Sequence, residues 1–124
     1  MLSGDALTER IIGLAIEVHR HFGPGLLESV YEHCLSYELG HVGIPHECQA
    51  LLPVVYKDIR LESGFRADIP VADEVIFELK SVERFSAVHD AQLLTYLRMT
   101  GYRVGLLMNF NTLRLKDGLR RLAM

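Results

Sequence analysis

Gly64-Phe65-Arg66-Ala67-Asp68-Ile69-Pro70-Val71-Ala72-Asp73-Glu74-Val75-Ile76-Phe77-Glu78-Leu79-Lys80-Ser81 is the stretch on which the fold of this chain turns. It reads as two short strands around a turn centred on Asp73. That register sets Asp68 across the ladder from Glu78, where Cβ atoms lie roughly 4.5–5.5 Å apart and like charges repel. A divalent cation between the two carboxylates would reverse the sign of that interaction. Lys80 follows Glu78 by two residues and projects from the same face. Val75, Phe77 and Leu79 make the opposite face apolar, which places the strand inside a sheet rather than at its edge. A slip of one residue would send Asp68 to the wrong face, so the reading depends on the turn. Two acids and an amine converging on one face suit metal-dependent phosphodiester chemistry. The plainer alternative is a solvated strand face, on which acids and lysines are common.

Further along, Ser86 and Gly101 frame a helix over Ala87–Thr100, as N-cap and C-terminal stop. Gln92 and Tyr96 are four apart on one helical face, with His89 a turn earlier. Leu93, Leu94 and Leu97 occupy the neighbouring face and would pack on a sheet. Upstream, Gly23-Pro24-Gly25 ends one helix and Glu28 opens the next, where an acid also complements the helix dipole.

The order is Glu on a helix, Asp on a strand, Glu-x-Lys on the next strand, then Gln-x-x-x-Tyr on a helix. It resembles the PD-(D/E)XK nuclease superfamily, particularly its RecB-like branch. More narrowly, Gly25-Leu26-Leu27-Glu28-Ser29-Val30-Tyr31 resembles the signature of the small bacterial GxxExxY family. That likeness continues through Arg66-Ala67-Asp68, His89 to Tyr96, Asn109-Phe110-Asn111 and Leu115-Lys116-Asp117-Gly118. Each motif is weak by itself, and their order over nearly the whole chain is what makes the combination specific.

The resemblance implies an α/β/α sandwich with a mixed central β-sheet and an Mg²⁺- or Mn²⁺-dependent nuclease. It implies a metal held by Asp68, Glu78 and the Leu79 carbonyl, with Glu28 completing the shell directly or through water. Hard oxygen ligands of this kind favour Mg²⁺ or Mn²⁺ over zinc. Lys80 would orient the attacking water or stabilise charge. Gln92 and Tyr96, with His89 on their face, would position the scissile strand. The expected partner is nucleic acid, DNA ahead of RNA. The alternative is a nuclease-fold protein that binds nucleic acid or a protein partner without cleaving.

Charge pulls toward that alternative. The net charge of −3 lacks the basic surplus usual for nucleic-acid-binding domains, and implies weak non-specific affinity. Arg98, Arg103, Arg114, Lys116, Arg120 and Arg121 concentrate toward the C-terminus and offer phosphate contacts or simply a solvated basic surface. The 124 residues suffice for one domain with a core, and 49% hydrophobic with 23% charged residues is ordinary globular composition. Met1-Leu2-Ser3-Gly4-Asp5 shows no secretory pattern, and no apolar run nears the roughly 20 residues of a membrane span. Cys34 and Cys48 read as reduced thiols, so a cytoplasmic setting is expected. A homo-oligomer is compatible with all of this.

The expected organisation is α-α-β-β-β-α-β. Leu7, Ile11, Leu14, Val18 and Phe22 mark the buried stripe of a helix over Asp5–His21. Leu27, Val30, Tyr31, Cys34, Leu35 and Leu39 mark a second. Strands are expected near Glu47–Tyr56, Ile59–Ile69, Val75–Ser81 and Tyr102–Asn109, with a turn at Lys57-Asp58. The last strand is apolar enough to be buried on both faces. Asp117-Gly118 suits the tight turn of a final hairpin. His19 and His21 do not face each other, and His33, His41 and His46 have no partner at ligand spacing.

Overall fold

The computed structural model describes residues 3–123, so the reading of Met1 and Leu2 lies outside the described residues. The elements are α1 (Ser3–Phe22), α2 (Glu28–His41), β1 (Ala50–Tyr56), β2 (Ile59–Ala67), β3 (Ile69–Val71), β4 (Val75–Lys80), α3 (Ala87–Thr100), β5 (Val104–Asn109) and β6 (Leu119–Ala123). A 3-10 helix at Leu115–Gly118 precedes β6. β3, β4, β5 and β6 form one mixed sheet in that order, with β4 and β5 parallel; β1 and β2 form a separate antiparallel ribbon.

The helices cover the two faces of the mixed sheet. Ile11, Leu14, Tyr31 and Leu35 of α1 and α2 pack with Phe77, Leu79, Leu106 and Met108. On the other face, Leu93 and Leu97 of α3 pack with Ile76 and Leu107. β4 alternates between these layers, so Ile76 and Glu78 face α3 while Phe77 and Leu79 face α1 and α2. Gly105 lets α3 come close. A Cβ at that position would lie 2.7 Å from Leu93 Cγ.

The turn is the one the sequence implies. Ile69 pairs with Phe77, Pro70 with Ile76 and Val71 with Val75, which centres the β3–β4 hairpin on Asp73. Ala72 and Asp73 have φ of 51° and 55°, the sign that a tight hairpin turn requires at both central residues. Neither is glycine, and neighbours hold them. The Tyr102 hydroxyl donates to Asp73 Oδ1 at 3.0 Å, and Arg103 pairs with Glu74 at 2.6 Å. Pro70 fits because β3 is an edge strand.

Several boundaries differ from expectation. The strand expected over Ile59–Ile69 breaks at Asp68, where the chain passes from the β1–β2 ribbon into the mixed sheet. The strand expected from Glu47 starts at Ala50, because Gln49 takes a φ of 52° and bends the chain. Phe22 and Leu27 leave the buried stripes, at 43% and 74% exposed. They flank the Gly23-Pro24-Gly25 break, where φ values of 76° and 107° at the glycines end the helical periodicity. Tyr31 braces that break from the core: its hydroxyl donates to the Gly23 carbonyl at 2.6 Å and accepts the Leu26 N–H at 3.1 Å. Asp117-Gly118 closes a 3-10 turn rather than a two-residue hairpin, and β6 then adds antiparallel to β5.

Candidate active site

Asp68 and Glu78 meet where the ribbon joins the mixed sheet, and backbone amides orient both. Glu78 Oε2 accepts the Asp68 N–H at 2.8 Å, and Asp68 Oδ2 accepts the Leu79 N–H at 2.9 Å. Glu78 is 6% exposed. Burial pushes its carboxyl up from 4.5 to about 8, and the Asp68 charge pushes in the same direction. The Asp68 N–H and the Lys80 ammonium oppose the change without cancelling it. The two carboxylates repel when both are ionised, which favours a proton on Glu78, and a cation between them would favour the ionised pair instead.

Tyr96 looks onto this pair from α3. Burial raises the pKa of its phenol, the Glu78 and Asp68 charges raise it further, and a side-chain hydrogen bond with Gln92 opposes them. Its ring stacks on Phe65 of β2, with centroids 4.4 Å apart. Gln92 is exposed one turn earlier. His89 serves its own helix: its Nδ1 accepts the Ser86 N–H at 3.1 Å, capping α3, and its ring sits edge-on to Phe85.

Glu28 lies just past the C-terminal end of β4, beyond Glu78 and Lys80. Its Oε2 accepts the Ser81 N–H at 2.9 Å, while Ser81 Oγ donates to the Leu26 carbonyl at 3.2 Å. A cleft of about 620 Å³ opens there between Gly25–Ser29, Ser81 and Asn111. Buried Asn109 clamps the loop leaving β4, accepting the Val82 N–H at 3.1 Å and donating to the Val82 carbonyl at 2.7 Å. Other cavities, between α1 and Leu113–Lys116 and between α1 and α2, do not touch the acids.

Two residues join this group that the sequence reading passed over. Glu32, 9% exposed, accepts the Gln49 Nε2–H at 2.6 Å, and the same amide nitrogen donates to Asp68 Oδ1 at 3.1 Å. Burial raises the Glu32 carboxyl, the Gln49 bond opposes this, and the Asp68 charge adds to the rise. One signal for Glu32 was present. It stands four residues after Glu28, on the same helical face. Nothing in the sequence marks Gln49, whose reach depends on its bent backbone.

The donor set suits an oxygen-ligated ion held by few protein groups. Among the described residues, no three His, Cys, Asp or Glu side chains gather at ligating distance. Two carboxylates suffice for Mg²⁺, which keeps several of its waters. Of the C-terminal basic residues, Arg103 pairs with Glu74, Arg120 with Asp90 and Arg114 with Asp117, so part of that surface is already neutralised.

Searches among curated proteins and among solved structures find no match. A family model described as PD-(D/E)XK nuclease superfamily matches residues 5–122, nearly the full chain, and spans every element that builds the site. The chain belongs to the PD-(D/E)XK nuclease superfamily.

Proposed function

We propose that this protein is a divalent-metal-dependent nuclease that hydrolyses phosphodiester bonds in nucleic acid, DNA ahead of RNA, in the cytoplasm. One observation carries the reading: two opposed carboxylates, one of them buried with its carboxyl pushed up to about 8, beside a lysine and beneath a tyrosine. Asp68 and Glu78 would hold Mg²⁺ or Mn²⁺, with the Leu79 carbonyl as a third oxygen and Glu28 acting through water. Once bound, such an ion supplies Lewis acidity and lowers the pKa of water. The chain's own groups do the rest. Lys80 offers a positive charge where negative charge develops on the phosphate. Tyr96 and Gln92 offer donors to the scissile strand, and His89 extends their face at the helix start. The narrower likeness to the GxxExxY family and the RecB-like branch agrees with this arrangement.

The test is incubation of labelled single-stranded, duplex and tailed DNA, and of RNA, with millimolar Mg²⁺ or Mn²⁺. Metal-dependent cleavage that disappears in Glu78→Ala is expected. Lys80→Ala should keep its melting temperature and metal binding while losing cleavage. Binding of nucleic acid without cleavage of any form would discard the enzyme and leave a binding module.

A further inference from the structure

Gln49 sits between two acids in a backbone conformation that a residue with a side chain rarely adopts. Its φ of 52° lies in the left-handed region. A hydrogen bond from its N–H to the Asp68 carbonyl, 2.7 Å long, holds it there. Its neighbours lie along the outer edge of β3, with the Glu47 N–H on the Pro70 carbonyl at 3.2 Å. The bend delivers the Gln49 amide to one place. Nε2 has two hydrogens, and they go to Glu32 Oε1 at 2.6 Å and Asp68 Oδ1 at 3.1 Å. Asp68 Oδ2 takes the Leu79 N–H. Each oxygen of Asp68 thus has a donor of its own, and the one on Oδ1 comes from a side chain anchored to α2.

Backbone strain of this kind costs on the order of 1–3 kcal/mol and persists where the surroundings enforce it, frequently at functional sites. Gln49 could be no more than a polar bridge that fastens α2 to the sheet. Geometry says more than that, because the bridge ends on a carboxylate that faces Glu78. We infer that Gln49 is a positioning residue: anchored on Glu32, it fixes the Asp68 carboxylate in the orientation that receives a divalent cation between Asp68 and Glu78. This rests on the metal site of the proposed function. Groups that orient ligating carboxylates by hydrogen bonds typically change metal affinity about 10- to 100-fold when removed.

The experiment measures Mn²⁺ binding to the purified protein by calorimetry, alongside thermal melting. Gln49→Gly removes the amide while accepting positive φ freely, so the backbone is relieved rather than broken. It should melt near the wild-type temperature and bind Mn²⁺ about 10- to 100-fold more weakly. Gln49→Asn tolerates the same backbone region but is one methylene too short to bridge both acids, and should behave alike. Wild-type Mn²⁺ affinity in either folded variant would overturn the inference. So would collapse of the fold in both, which would make the bridge purely structural. Asp68→Asn separates the two levels. If wild type binds no Mn²⁺, or Asp68→Asn binds it equally well, the metal site itself is wrong. If binding depends on Asp68 but not on Gln49, only the positioning role falls.

Discussion

In the mixed sheet, every residue of β5 and all of β4 except Lys80 is buried. In the β1–β2 ribbon, Leu51, Val55, Tyr56, Ile59 and Leu61 are each more than half exposed. Both regions are rich in Val, Leu and Ile, so composition does not separate them. Cover does: the mixed sheet has helices on both faces, whereas the ribbon is held at its root, where Phe65 lies on Tyr96 and Leu52 joins the α3 layer. A two-stranded ribbon alone is marginal in water. The lesson concerns Asp68, which ends one region and begins the other. Its partner Glu78 lies in the buried sheet, while its own chain arrives from the exposed ribbon.

The largest expected effect tests the repulsion on the buried side. Without metal, the folded protein holds a proton on Glu78 that the unfolded chain releases. The contribution of Glu78 to stability is therefore fully present below pH 4.5 and is lost as pH rises toward about 8. Each pH unit corresponds to about 1.4 kcal/mol, so the decline is bounded at roughly 5 kcal/mol. Melting curves across this range should flatten in Glu78→Gln and on adding Mn²⁺. An undiminished slope in Glu78→Gln would assign the dependence to other groups.

Next comes packing. Phe77→Ala empties a fully buried position in β4 and should cost about 3–5 kcal/mol in chemical denaturation. A loss below about 1 kcal/mol would mean that the sheet is no better packed than the ribbon.

A smaller effect belongs to the face above the acids. Gln92→Ala should slow single-turnover cleavage by about 10²-fold, since a displacement near 1 Å is that costly. DNA affinity at fixed salt and the melting temperature should barely move. Equal losses in binding and rate would make Gln92 an affinity contact only.

The smallest effect is at the ribbon tip. Tyr56→Ser or Ile59→Thr should shift stability by no more than about 0.5 kcal/mol, as surface substitutions do. A loss of several times that would show the tip to be covered in solution, and end the contrast drawn above.

The opposed pair was legible in the sequence because a hairpin is local: a turn at Asp73 and a period of two fix which side chains face each other. The buried β5 was legible from its unbroken apolar run. The meeting of Glu32 with Gln49 was not, since it needs α2, the bend at Gln49 and the start of β3 together, and the spacing of Glu32 from Glu28 marks only its helical face. Phe22 and Leu27 misled for the converse reason. Both fit an apolar stripe, but the glycine break between them turns the chain outward. β6 is short, with Arg120 and Arg121 inside it, which masked its pairing with β5.

Gly105 has no charge and no side chain, yet it governs how near α3 can lie to β5, because a methyl group there would press on Leu93. Leu93 is next to Gln92 and one turn before Tyr96. A single added carbon would act as a shim beneath the helix, shifting the face that carries Gln92 and Tyr96 relative to the acids while leaving every polar group intact. Overpacking of this kind typically costs about 1–3 kcal/mol. For heredity, the proposed site is thus wider than its polar groups: a featureless glycine sets where the Gln92 and Tyr96 face lies, and a survey confined to polar residues would never look there.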